Sequence, residues 1–134
     1  MHQIGAVAER VELSLRTVRY YEEMGLITPE ERTDGGFRLY TEENVERLLL
    51  IKQMKPLGFS VQEMHDLLDA RDAVRTLEPL DPRRLQAARE LADFAEAADK
   101  RCRKLRQHVA AGFELAKQLS LESEQDGMGL GADG

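Results

Sequence analysis

Two arginines, a threonine and a tyrosine stand close together early in this chain, at Arg16, Thr17, Arg19 and Tyr20. A guanidinium presents a fork of donors that fits the edge of a guanine or the oxygens of a phosphate, and Thr and Tyr hydroxyls also reach phosphate. Arg38 and Tyr40 offer the same chemistry one segment later. Together these six residues read as a surface for a nucleic-acid duplex. A plainer reading of the first group is a surface helix with two solvated arginines. A plainer reading of the second is a small hairpin that covers the core.

The surrounding sequence supplies the elements that would position them. Ser14 is an N-cap residue, and Gly25 can take the left-handed conformation that closes a helix. Between them, at about 100° per residue, Arg16, Arg19 and Tyr20 share one face with Thr17 at its edge. Val18 falls opposite, flanked by Leu15 and Tyr21. Upstream, Ile4, Val7, Ala8 and Val11 recur at the spacing of a short amphipathic helix, so the order is helix, tight turn, helix. Downstream, Arg32 to Tyr40 reads as a hairpin, with Asp34-Gly35-Gly36 supplying the positive-φ turn. Alternation along it sends Phe37 and Leu39 inward and leaves Arg38 and Tyr40 on the other face. A hairpin in this place is a wing that can lie along a DNA backbone.

Two more helices follow. Thr41 caps a third, from Glu42 to about Lys55, with Val45, Leu48, Leu49 and Ile51 expected in the core; Pro56 and Gly58 end it. Ser60 and Glu63 form a capping box for a fourth, whose buried face is Val61, Met64, Leu67 and Leu68. His65 sits beside that face without assigned chemistry. Residues 72–81 mark a boundary, after which Asp81 caps a helix with Pro82 in its first turn.

From there the pattern changes. Ala88, Leu91, Ala95, Ala98, Cys102, Leu105, Val109, Gly112, Ala116 and Leu119 recur in alternating steps of three and four. Such a heptad is a coiled-coil seam, about 55 Å long at ~1.5 Å per residue. One helix cannot bury its own seam, and the chain offers no second long helix, so a second copy is the expected partner. The alternative is a helix folded back on its own domain. The organisation expected is therefore mainly α, with a winged helix-turn-helix domain at 1–75, a connection and dimerisation helix at 76–119, and a disordered, Gly-, Ser- and acid-rich tail at 120–134.

Composition narrows the function. The net charge is −6, and residues 1–75 hold 10 Lys and Arg against 14 Asp and Glu, so any DNA contact must come from a local basic face. No apolar run approaches the ~20 residues of a membrane span. Met1-His2-Gln3 leads straight into structure with no secretory signal, and a single cysteine fits a reducing cytosol, so a cytoplasmic protein is expected. Cys102, His108, His65 and His2 lack the convergent spacing of a zinc site. No phosphate loop, nucleophile elbow or paired carboxylates are evident, so neither an enzyme nor a cofactor is expected. Cys102 reads first as seam packing. A thiol switch is the sharper alternative, because Lys100, Arg101, Arg103, Lys104 and Arg106 would favour the thiolate if they gathered near it.

The order of parts resembles the MerR family of bacterial transcription regulators. The resemblance is carried by Ile4-Gly5-x-Val7-Ala8, by Arg16-Thr17-Val18-Arg19-Tyr20-Tyr21-Glu22-x-x-Gly25-Leu26-Ile27, by Arg38-Leu39-Tyr40 and by Leu57-Gly58-Phe59-Ser60-x-x-Glu63. It covers residues 3–71 in motif detail and the long helix in layout. It implies a homodimer joined by antiparallel long helices, reading a pseudo-palindromic element of double-stranded promoter DNA and bending and untwisting it beside RNA polymerase. Arg16, Thr17, Arg19 and Tyr20 would make contacts from the helix, and Arg38 and Tyr40 from the wing. The dimer interface would use Leu91, Ala95, Ala98, Cys102, Leu105, Val109, Ala116 and Leu119. Metal-sensing relatives carry paired cysteines near the end of the dimerisation helix, where this chain has only Cys102 in mid-seam. Drug-sensing relatives append a large binding domain, where here only a short tail follows. The effector is therefore not written in the sequence. The rival from another class is a coiled-coil interaction protein whose first domain binds protein.

Overall fold

The computed structural model describes residues 1–32 and 35–133, with side chains described for 1–30 and 35–126. It divides into two compact units, Met1–Phe94 and Ala95–Gly134.

The first unit opens with two short helices. In α1, Ile4–Val11, the residues Val7, Ala8 and Val11 are buried. Lys52 Nζ donates to the Val11 carbonyl at 2.9 Å, serving one of the acceptors a helix end leaves open. In α2, Leu15–Glu23, the Ser14 side chain accepts from the Thr17 N–H at 3.0 Å, as an N-cap should. Gly25, at φ +78°, closes the other end. Its N–H reaches the Glu22 carbonyl at 2.9 Å, and the Leu26 N–H reaches Tyr21 at 3.0 Å. This is a Schellman closure, and it needs the left-handed conformation that glycine adopts without Cβ strain.

Three short strands follow a topology only partly expected. β1, His2–Gln3, and β2, Glu31–Arg32, both pair antiparallel with β3, Arg38–Tyr40, giving the order β1-β3-β2. His2 stands opposite Tyr40, and Arg32 opposite Arg38. The wing is thus a hairpin with a third strand from the extreme N-terminus. Gly36 takes φ +82° in the turn, whereas Asp34 lies outside the described residues. The faces of β3 are the reverse of the expected ones. Phe37 is 63% exposed, Leu39 is half-buried and Tyr40 is 0% exposed. Alternation marks two faces without saying which is covered; here the face of Arg38 and Tyr40 turns onto α2.

α3, Glu42–Met54, is capped by Thr41 and runs into a 3-10 turn, Lys55–Leu57, that Gly58 ends at φ +80°. Val45, Leu48 and Ile51 are core, but Leu49 is 42% exposed, because a helix with Val45 and Leu48 inward turns Leu49 aside. α4, Val61–Thr76, begins with the complete Ser60–Glu63 capping box and buries Met64 and Leu68, while Val61 and Leu67 are only half-buried. Arg47 ties three segments together: Nε donates to the Leu26 carbonyl at 2.8 Å and Nη1 to Asp72 at 2.9 Å. Buried Asn44 donates to the Thr28 carbonyl at 2.9 Å. The segment leaving α2 is therefore held from α3.

α5 runs from Pro82 to Asp133, with Asp81 Oδ1 accepting from the Arg83 N–H at 2.9 Å. The compact unit extends past the expected limit of residue 75 because the first turns of α5 belong to it. Ala87 is buried, and the Phe94 ring lies 6.2 Å from Phe59. That inner face is one position out of step with Ala88 and Ala95, so the seam periodicity does not mark it. In the second unit, Ala98 is half-buried, while Ala95, Cys102, Leu105, Val109, Ala116 and Leu119 are exposed. The disordered tail expected from residue 120 is corrected for 120–126, which are helical. No glycine stands between Gly112 and Gly127, and Gln118 donates to Glu122 one turn later at 3.1 Å. The rest of the expected tail, 127–134, lies outside the described side chains. Among the described residues no helix is long and apolar enough to cross a membrane.

Candidate nucleic-acid interface

α2 presents its outer face as the periodicity requires. Arg16 and Arg19 are exposed and Tyr20 is 44% exposed, while Val18 and Tyr21 seal the inner face. Tyr20 leans on Tyr21, with ring centroids 5.5 Å apart, so a buried ring steadies an exposed one. Thr17 is half-buried, its hydroxyl 2.8 Å from that of Ser14, and so forms part of the cap as well as the edge of the face. Leu15, expected behind the helix, is exposed.

Among the described residues, the wing meets this helix through one carboxylate. Glu22 Oε2 accepts from Arg38 Nη1, and Glu22 Oε1 accepts from the Tyr40 hydroxyl at 3.2 Å. Arg38 keeps a side chain 43% exposed, whereas that of Glu22 is 11% exposed. Tyr40 is therefore corrected from an open-face residue to a buried one. Its ring fills the core and its hydroxyl satisfies Glu22. Burial, and then the nearby Glu22 charge, push its phenol pKa up. Of the six residues singled out in the sequence, Arg16, Arg19, Tyr20 and Arg38 are exposed on α2 and the wing, Thr17 is at the margin, and Tyr40 is beneath.

Three residues take supporting roles that the sequence does not signal. Glu22 stands in the Tyr20-Tyr21-Glu22 run, which pointed to it only as part of a motif. His65 Nε2 donates to the Met24 carbonyl at 2.6 Å, serving the C-terminal end of α2. Glu42 receives both His2 Nε2 and Arg10 Nη1 at 2.6 Å, joining β1, α1 and the start of α3. Those two donors, Arg10 first, hold the Glu42 carboxyl at about 2. Among the described residues no group of three or more His, Cys, Asp and Glu is placed to hold a metal ion.

Residues 3–71 match the family model described as MerR HTH family regulatory protein, which is half of the chain. The chain belongs to the MerR family. The matched span includes α1, α2, the wing and α3, and so all six candidate residues; the heptad of α5 lies beyond it. Over 71 residues the MerR-family chain is 44% identical to the HTH-type transcriptional regulator ZntR of Escherichia coli, covering 53% of this chain and 50% of ZntR. The chain spans about half the length of the curated relatives it matches. Among solved structures it is similar to the transcription regulator PbrR691 of Ralstonia metallidurans in complex with lead(II). That likeness has 26% identity and a TM-score of 0.55, over 89% of this chain and 83% of PbrR691. It shares its fold with HiNmlR, a MerR family regulator lacking the sensor domain and bound to promoter DNA. There the identity is 18% and the TM-score 0.56, over 81% of this chain and 77% of HiNmlR.

Proposed function

We propose that this chain is a sequence-specific DNA-binding transcription regulator. The observation that carries the reading is the outer face of α2, where Arg16, Arg19 and Tyr20 stand exposed on a helix whose wing is tied to its flank. Arg19 and Arg16 read base edges in the major groove, and Thr17 and Tyr20 contact phosphate. Arg38 holds phosphate from the wing. Tyr40 contributes by fixing the wing rather than by touching DNA. An acidic chain with a local basic face on α2 is suited to selective binding, because general counterion release along a duplex requires many cations.

The active form is a homodimer joined through the α5 seam, with two recognition helices entering successive major grooves of a pseudo-palindromic promoter element. Bending and untwisting that element would alter its engagement by RNA polymerase, the energy of deformation being offset by phosphate contacts on both arms. Support comes from family membership and from the exposed apolar row Leu105, Val109 and Leu119. No catalytic step is assigned.

The test is selection of duplexes from a random-sequence pool by the full chain. An enriched inverted repeat is expected. Arg19→Ala should weaken binding to it by about 1–3 kcal/mol and relax preference at one base position per half-site. Failure to enrich any duplex over random DNA would overturn the reading.

A further inference from the structure

Among the described residues, one carboxylate, Glu22, joins the wing to α2. We propose that Glu22 is a positioning residue for DNA binding, which locks the wing to the recognition helix so that Arg38 meets phosphate in a fixed register with Arg19. The inference rests on the DNA-binding reading above and names a residue that makes no contact with DNA itself.

The geometry divides the carboxylate between two jobs. Oε1 takes the hydroxyl of Tyr40, whose ring is fully buried, and so is anchored to the core. Oε2 takes Arg38 Nη1. Arg38 and Tyr40 are two apart on one strand, so they project from the same face and reach the same side chain. On α2, Glu22 lies about 60° around the helix from Arg19, between the outer face and buried Val18. A guanidinium has five donors in a rigid fork; the bond to Glu22 uses one nitrogen, and the side chain remains 43% exposed. A long side chain on a three-residue strand would otherwise lose rotamer freedom on meeting phosphate. Glu22 orders it beforehand.

A carboxylate beside a phosphate-binding arginine also repels the phosphate. If repulsion dominated, removing the charge would tighten binding. The low exposure of the Glu22 side chain, 11%, and its second tie to Tyr40 favour the positioning role, because an incidental surface charge has no anchored oxygen. The two possibilities predict opposite signs.

The experiment uses the full chain, the duplex it enriches from a random pool, and a salt titration of binding. Each phosphate contact contributes about −0.9 to the slope of log K against log salt, so losing one contact on each arm of a dimer flattens it by about 1.8. Glu22→Gln and Arg38→Gln are each expected to flatten the slope by this amount, and the double variant no further. Preference for the enriched duplex over random DNA should persist in all three, because Arg19 is untouched. Tyr40→Phe keeps the carboxylate and its bond to Arg38 but frees Oε1, and is expected to flatten the slope by less than Glu22→Gln does. A Glu22→Gln variant that binds with the full slope or more tightly would overturn the proposal, as would further flattening in the double variant. If Glu22→Gln melts below the assay temperature, Glu22→Asp, which keeps the charge but shortens its reach to Arg38, takes its place; a full slope there would overturn the proposal. Equal flattening in Tyr40→Phe and Arg38→Gln would overturn it too, because the slope would then report folding of the wing. If the wild-type chain enriches no duplex, the DNA-binding reading falls and this inference with it.

Discussion

Tyr40 is buried with its hydroxyl donating to Glu22 Oε1 across 3.2 Å, so the last strand of the wing is pinned to the flank of α2. Tyr40→Phe keeps the ring and removes that bond to a charged acceptor, and should lower stability by about 1–3 kcal/mol. The same contact gives a pH dependence. Burial and the Glu22 charge raise the Tyr40 pKa in the folded state above its ordinary value of 10.0. As pH rises past that value, the unfolded chain releases this proton while the folded chain retains it, so stability falls. Chemical denaturation in steps from neutral to strongly alkaline pH checks this. The difference between wild type and Tyr40→Phe should narrow at the alkaline end, and a constant difference would contradict the assignment.

Glu42 gives the opposite dependence at the acid end. Its carboxyl sits at about 2 in the folded protein against an ordinary 4.5, held mainly by Arg10 and then by His2. A depressed carboxylate pKa contributes stability above the unfolded value and loses it as pH falls toward the folded one. The loss from this group should therefore run from about pH 4.5 down to about 2. Glu42→Gln should abolish that part of the acid destabilisation. The group is exposed, so added salt should shrink the effect. Denaturation midpoints at mildly acidic and strongly acidic pH, each at low and high salt, test both statements.

Much of the first unit was legible because its signals are local. Ser14, Thr41 and Ser60 announced three helix starts within a few residues of the chain, and the spacing of Val7, Ala8 and Val11 needed no distant partner. What escaped depends on residues far apart. β1 is two residues long and becomes a strand only by pairing with Tyr40, and nothing in His2-Gln3 signals it. The orientation of Tyr40 is not legible locally, because a phenol suits either face until an acceptor is found, and Glu22 stands on another element. Arg16 and Arg19 were legible as outward because Val18 and Tyr21 fixed the inner face. Ala87 and Phe94 each stand one position before a heptad residue, so the seam periodicity does not mark the face they bury.

Gly25 separates backbone strain from steric fit. A Cβ built there would lie 3.5 Å from His65 Cε1, an ordinary contact, so space is available. The obstacle is φ +78°, which costs an L-residue about 1–2 kcal/mol. Gly25→Ala should therefore destabilise the chain by about that amount, and Gly25→Asn by less, since Asn tolerates the left-handed region. Equal melting of all three proteins would show that the closure of α2 does not depend on this conformation.

The seam of α5 carries the last prediction. Leu105 and Val109 are exposed in the second unit, together with Leu119, and one helix has no means to cover them. Burying a large aliphatic side chain at a helix–helix contact contributes about 1.5–3 kcal/mol. Placing an unpaired carboxylate there reverses the gain, and in a homodimer one substitution acts twice. Leu105→Asp or Val109→Asp should thus convert a dimer to monomers in sedimentation at micromolar concentration, without unfolding the Met1–Phe94 unit. Leu80 provides the control, since it is 87% exposed in the connection before α5 and stands outside the heptad. Leu80→Asp should leave the dimer intact. The monomeric variants should also bind the enriched inverted repeat far more weakly, because each half-site must then be filled independently. Dimers that persist in both seam variants would remove the heptad from the interface, and weaker binding without a change of mass would place its effect elsewhere.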